Sequence, residues 1–98
     1  MTSTVPLSGR PTVGRHVKMR WDRSRQRHVL LGPETVVVLN PTGADILGLC
    51  DGHRSVADIT DELGRRYDRV VHDEVTAFLE GLVARRWVAI REDDSTDG

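Results

Sequence analysis

Residues 32–52 read GPETVVVLNPTGADILGLCDG, a short apolar run followed by a helix start and a helix stop. Thr35, Val36, Val37 and Val38 are β-branched and Leu39 ends the run, which predicts a strand. Asn40-Pro41 comes next. An Asn side-chain oxygen can accept an unpaired helix N–H, and Pro suits the first helical position, where no donor is needed. The predicted helix carries Ala44, Ile46, Leu47, Leu49 and Cys50 and stops at Asp51-Gly52. The strand has Thr35, Val37 and Leu39 on one face and Val36 and Val38 on the other, so both faces are largely apolar. A strand over a single core alternates apolar with polar side chains. Either both faces are covered within the fold, or one face and its edge take a partner.

Upstream, residues 16–21 (HVKMRW) alternate polar with apolar, a half-buried strand with Val17, Met19 and Trp21 inward. A polar turn leads to a second strand, RHVLL at 27–31, and Gly32-Pro33-Glu34 turns into the third. Connections this short favour an antiparallel meander. Downstream, Ser55 with Asp58 three residues on is close to a capping box, and Val56, Ile59, Leu63 and Tyr67 form one stripe. A third helix carries Val71, Val75, Phe78, Leu79, Leu82 and Val83 at amphipathic spacing. Acidic residues open these two helices and arginines close them, as the helix dipole favours. Gly48, Gly64 and Gly81 lie inside helices and suggest close helix packing, and residues 87–90 (WVAI) are apolar enough to pack on the core. The expected architecture is α+β and winged helix-turn-helix-like, a three-stranded antiparallel sheet followed by three helices. Residues 1–14 are expected to be a flexible N-terminal segment, 15–90 the folded domain and 91–98 an acidic C-terminal tail.

At 98 residues the chain makes one domain. A chain of this size buries roughly 60–65% of its unfolded surface, enough for a core without metal or disulfide. A lone cysteine, Cys50, excludes an internal disulfide and fits a reducing compartment. No run is long enough to span a membrane and the first 15 residues lack a signal-peptide core, so a cytoplasmic protein is expected. None of His16, His28, His53 and His72 has metal-ligand spacing with another or with Cys50. Cys50 sits among aliphatics and reads as a small buried hydrophobe. There is neither a Gly-rich phosphate loop nor an arguable Ser–His–Asp arrangement. No catalytic residue, metal or cofactor is therefore expected. The net charge of −1 hides an asymmetry, because residues 1–32 hold seven Lys or Arg against Asp22 alone. That is either charge balanced across one surface or a basic face for an acidic partner.

The stretch MRWDRSRQRHVLLGPETVVVLNPTGADILGLCDGHRSVADITDELGRRY and the later FLEGLVARRWV resemble the PqqD family of pyrroloquinoline quinone (PQQ) biosynthesis over residues 15–90. The resemblance implies a peptide chaperone of the RiPP recognition element type. Such a protein binds the leader of the precursor peptide PqqA and presents it to the radical SAM enzyme PqqE. The leader lies along the third strand, in the cleft against the third helix. Carried onto this sequence, the peptide-binding residues are Thr35, Val36, Val37, Val38 and Leu39 on the strand and Val75, Phe78, Leu79 and Leu82 on the helix. Val37 is expected to face the peptide, and Phe78 and Leu82 to be core or groove floor. The implied partners are a PqqA-like peptide and a PqqE-like enzyme, with no nucleic acid and no membrane. An open edge strand also invites self-pairing, so a monomer is expected with peptide present and a strand-exchanged dimer is the alternative state. LNPTGADIL alone is similar to recognition proteins of lasso peptide and mycofactocin maturation, which keeps another peptide pathway open. A small winged-helix DNA-binding regulator is the reading from a different class. It is disfavoured because the third helix opens with Val71-His72-Asp73-Glu74, where a reading helix needs Lys, Arg, Asn or Gln.

Overall fold

The computed structural model describes residues 5–92. Eight elements follow one another: β1 (Arg10–Val13), β2 (Lys18–Asp22), β3 (Arg27–Leu31), β4 (Val36–Val38), α1 (Pro41–Gly48), α2 (Val56–Tyr67), α3 (His72–Ala84) and β5 (Val88–Arg91). β2, β3 and β4 form an antiparallel sheet in that spatial order, and the three helices follow it. The architecture is the α+β, winged-helix-like one that the hydrophobic pattern predicts, with one addition. β1 and β5 pair antiparallel as a second, two-stranded sheet, from Arg10 opposite Arg91 to Val13 opposite Val88.

That ribbon corrects the expectation of a flexible lead-in. Val5 and Pro11 are buried. The Gly9 and Leu7 carbonyls accept the Val56 and Ala57 N–H groups at 2.8 and 3.0 Å. These are the first two donors of α2, which no intrahelical acceptor can reach. The third, on Asp58, goes to Ser55 Oγ at 3.0 Å, while the Ser55 N–H donates to Asp58 Oδ2, a complete capping box. The segment is thus held by the unsatisfied start of a helix more than 40 residues away in sequence. Residues 1–4 and 93–98 lie outside the described residues.

The other caps follow local chemistry. Asn40 Oδ1 accepts the Gly43 N–H at 2.7 Å and Pro41 opens α1. α1 ends at Gly48, earlier than the expected stop at Asp51-Gly52, and Leu49 and Cys50 turn inward beyond it. α2 ends on Asp68, whose φ of 56° is left-handed. The core gathers Leu30, Ile46, Val56, Ile59, Leu63, Val75 and Leu79, each 0–1% exposed. The helix stripes predicted from spacing are the stripes that are buried.

Two expectations fail for reasons of position. Met19 pairs with Leu30 and Trp21 with His28, so both point to the face that alternation assigns. Yet they remain 36% and 53% exposed, because β2 is an edge strand and overhangs the helix layer. Only Val17 of the predicted inward set is buried. Gly48 and Gly81 do not serve close packing either, since a Cβ at either would meet nothing within 4 Å. Gly64 does lie near backbone, with the Arg69 carbonyl 3.3 Å from such a Cβ.

Candidate functional site

The distinctive feature of β4 is its second edge. Its first edge pairs with β3, with Leu30 opposite Val37. The Leu39 N–H donates to the His28 carbonyl and the Gly32 N–H to the Thr35 carbonyl, each at 2.9 Å. In an antiparallel ladder the inward-turned residues alternate. Thr35, Val37 and Leu39 therefore turn their amides to β3, while Val36 and Val38 turn an N–H and a C=O each to the open side. Among the described residues no strand pairs with that side. Val36 and Val38 are 53% and 46% exposed and share the outer face of the sheet with Val29 and Leu31. Val37, expected on the peptide side, instead shares its face with Leu30 and packs half-buried against the core.

Two aromatic rings, one from α3 and one from just beyond it, pack against the segments that flank β4. The Phe78 ring lies against Gly43 so closely that a Cβ there would come within 2.9 Å of it. The Trp87 ring, just beyond α3, sits over Gly32, where a Cβ would come within 2.7 Å. Gly43 follows β4 and Gly32 precedes it. Phe78 of α3 and the Trp87 ring thus reach the residues on either side of β4. Both glycines are needed to let an aromatic ring approach the backbone.

Phe78 marks the flank of α3 that packs on the start of α1, just after β4. Positions three, four and seven residues on share that flank, which adds Gly81, Leu82 and Arg85. Gly81 is exposed, and a Cβ there would meet nothing within 4 Å. The Arg85 guanidinium stands 5.9 Å over the Trp87 ring, at the Gly32 end. Gly81 and Arg85 were not among the site residues read from the sequence; counting helical turns from Phe78 places both on its flank. Of the predicted helix residues, Phe78 is half-buried, Leu82 is 7% exposed, and Val75 and Leu79 are closed off completely. Leu39 is likewise buried at 3%, and Thr35 is exposed in the turn before β4. Val75, Leu79 and Leu39 belong to the buried core and offer no surface to a ligand.

Burial pushes the Cys50 thiol up to about 12, with the Asp51 charge adding to it, so no thiolate is available. Glu74 at the start of α3 is paired with Arg69, whose hydrogen bond holds its carboxyl below the ordinary glutamate value. Among the described residues no group of three or more His, Cys, Asp or Glu is placed to hold a metal ion. No described helix is long and apolar enough to cross a membrane.

Residues 27–88, which span β3 to the first residue of β5, match the family described as coenzyme PQQ synthesis protein D, PqqD. The chain belongs to the PqqD family. A PqqD relative from Rhodopseudomonas palustris (strain BisB5), called a PqqA binding protein, is 44% identical over 82 residues, 81% of this chain and 80% of that one. Another of the same name from Methylococcus capsulatus is 38% identical over 73 residues, 74% of this chain and 78% of that one. The solution NMR structure of the PqqD part of Methylobacterium extorquens PqqCD superposes with a TM-score of 0.77 at 31% identity. It covers 89% of this chain and 96% of that one. That protein is described as a functional, stand-alone RiPP recognition element. The superposed part is thus longer than the segment 27–88 that matches the family.

Proposed function

We propose that this protein is a cytoplasmic peptide chaperone that binds the leader of a PqqA-like precursor along β4 and presents it to a PqqE-type radical SAM enzyme. The observation that carries the reading is the second edge of β4, unpaired among the described residues, with Phe78 of α3 packed just after the strand, in a chain similar to proteins called PqqA binding proteins. An added strand would bond the outward amides of Val36 and Val38. One set of its side chains would lie beside Val36 and Val38, the alternate set over Val37, Phe78, Gly81 and Leu82.

Magnitudes assign the affinity to the side chains. Four backbone hydrogen bonds at about 0.5–1.5 kcal/mol net each are offset by ordering a similar number of peptide residues at about 1–2 kcal/mol each. Burying about 300 Å² of apolar surface contributes about 7 kcal/mol before the association cost. Two or three apolar leader residues spaced two apart therefore dominate binding. The protein needs no reactive group for this task, because the chemistry on the peptide belongs to the enzyme.

The test is an amide NMR titration with the precursor encoded beside this gene. Saturable shifts are expected at residues 36–38, Phe78, Gly81, Leu82 and Arg85. Shifts confined to the start of α3, or none at several-fold excess of peptide, would refute the reading.

A further inference from the structure

We infer that the cleft between the Trp21–His28 pair and the start of α1 is a second subsite for the peptide. It takes one aromatic side chain from the part of the precursor that runs on past the end of β4. The inference rests on the strand-addition reading above and adds to it where the peptide goes next and what it carries there.

The cleft is built on a row of side chains across one end of the sheet. Trp21 pairs with His28, and the Leu39 N–H donates to the His28 carbonyl at 2.9 Å, so the three residues neighbour one another on β2, on β3 and just after β4. Each stands two residues along its strand from a member of the row Met19, Leu30, Val37. Alternation therefore turns all three to the side of the sheet that Leu30 faces, the core side. Cover fades along the row: Leu39 is buried, His28 is half-buried and Trp21 is more than half exposed. Pro41, Ala44 and Asp45, which share one flank of α1, complete the lining. The space enclosed is about 480 Å³, within the range of about 300–1,000 Å³ that bound groups occupy.

The chemistry of the lining selects a ring. Trp21, Leu39, Pro41 and Ala44 make it apolar, while Arg27 and Asp45 line it with opposite charges and favour neither an acidic nor a basic group. The Trp21 ring is held edge-on against His28, with centroids 5.0 Å apart and planes at 72°. Rings gather edge-to-face or offset at about 4.5–7 Å, so this pair is ready to receive a third. A side chain already held by its neighbour also loses little freedom when a ligand arrives. An aliphatic side chain would gain burial here without the added ring contact.

Placement selects the peptide as the source of that ring. Leu39 and Asn40 belong to the lining and directly follow β4. A strand added to the outer edge of β4 ends beside Asn40 and Pro41, both exposed, where the chain turns into α1. From an added strand to β3 is two strand spacings, about 10 Å. Three or four extended residues span that distance.

The experiment uses the full chain and the precursor peptide encoded beside its gene, read by NMR and by isothermal titration. The chain has two tryptophans, and the variant Trp21→Ala, at an exposed position and checked for fold by circular dichroism, identifies the Trp21 indole N–H signal. Each aromatic residue of the peptide is replaced by alanine in turn. The Trp21 indole and the Ala44 amide are expected to shift saturably together with Val36 and Val38. Trp21→Ala should weaken Kd about tenfold. One aromatic replacement in the peptide should weaken it by a similar factor, and by less than about twofold when Trp21 is already alanine. Shifts at Val36 and Val38 with Trp21 and Ala44 unmoved, and Trp21→Ala binding unchanged, overturn the subsite and leave strand addition standing. Coupling of Trp21 to no aromatic residue of the peptide also overturns it. A Trp21 signal that moves with protein concentration in the absence of peptide assigns the cleft to a second copy of the chain and overturns it as well. Saturable shifts at Trp21 and Ala44 with none at Val36 and Val38 support the ring-binding cleft and sink strand addition, whereas no binding anywhere overturns both.

Discussion

Val38→Pro separates strand addition from every other way of using this face. The Val38 N–H points away from β3, so a proline there takes no bond from the existing ladder. Val38 is also 46% exposed, so little packing is lost. The fold should lose no more than about 1 kcal/mol, a drop in Tm of at most about 4–8 °C for a domain of this size. The bound leader loses more. One donor disappears, worth about 0.5–1.5 kcal/mol, and the leader carbonyl it served is left unmatched at about 1–3 kcal/mol. A combined loss of about 2–3 kcal/mol weakens Kd about 30- to 150-fold. Val37→Pro is the control. Its N–H faces Leu30 in the ladder and its side chain packs on the core, so it should unfold the sheet rather than act on binding alone. Isothermal titration with the precursor peptide, beside thermal melts of both variants, reads the two effects separately. A Val38→Pro protein that keeps its fold and binds the peptide with unchanged Kd would show that the leader does not add as a strand to β4.

Gly81→Leu should stabilise the fold and weaken binding together. A side chain there meets nothing within 4 Å and replaces a helix-interior glycine, a gain of about 0.5–1 kcal/mol. The same side chain stands on the flank that Phe78 marks, so a raised Tm with undiminished peptide affinity would remove Gly81 from the groove. Ser55→Ala breaks the capping box and should cost about 1 kcal/mol of stability by chemical denaturation. Acid should act on the same cap. Asp58 is held below its ordinary value of 3.8 by the Ser55 backbone N–H, then by the Ser55 hydroxyl, and Glu62 below 4.5 by Arg65 and Arg66. Carboxyls depressed in the folded state contribute stability that is full above the unfolded values and lost as pH falls through the folded ones. Tm should therefore hold from neutral pH to about 5 and decline below about 4.5, less steeply in Asp58→Asn. Cys50, buried and pushed up to about 12, should resist a thiol reagent at about pH 8 until the chain is unfolded. Stoichiometric labelling of the native protein would contradict that.

Much of this molecule is legible in short windows of sequence, because the forces concerned act over a few residues. Asn40 and Ser55 cap the helices they precede, and Val56, Ile59 and Leu63 share a helical stripe whatever surrounds them. The doubly apolar run at residues 35–39 left two readings, both faces covered or a face and edge for a partner, and among the described residues its strand is an edge strand with Val36 and Val38 exposed. The three-stranded meander also follows from turn lengths alone.

What remained hidden depends on partners distant in the chain. β1 carries Pro11 and little alternation, and is a strand because β5 lies beside it and α2 needs acceptors at its start. Trp21 has the right parity for the core and is exposed because β2 ends up at an edge, beyond the reach of the helices. Val37 and its neighbours could not be told apart by composition. The pairing register with β3 turns Val37 inward and leaves Val36 and Val38 facing out. Period and capping are properties of the local backbone, whereas register, edge position and overhang exist only once elements far apart in sequence are packed together.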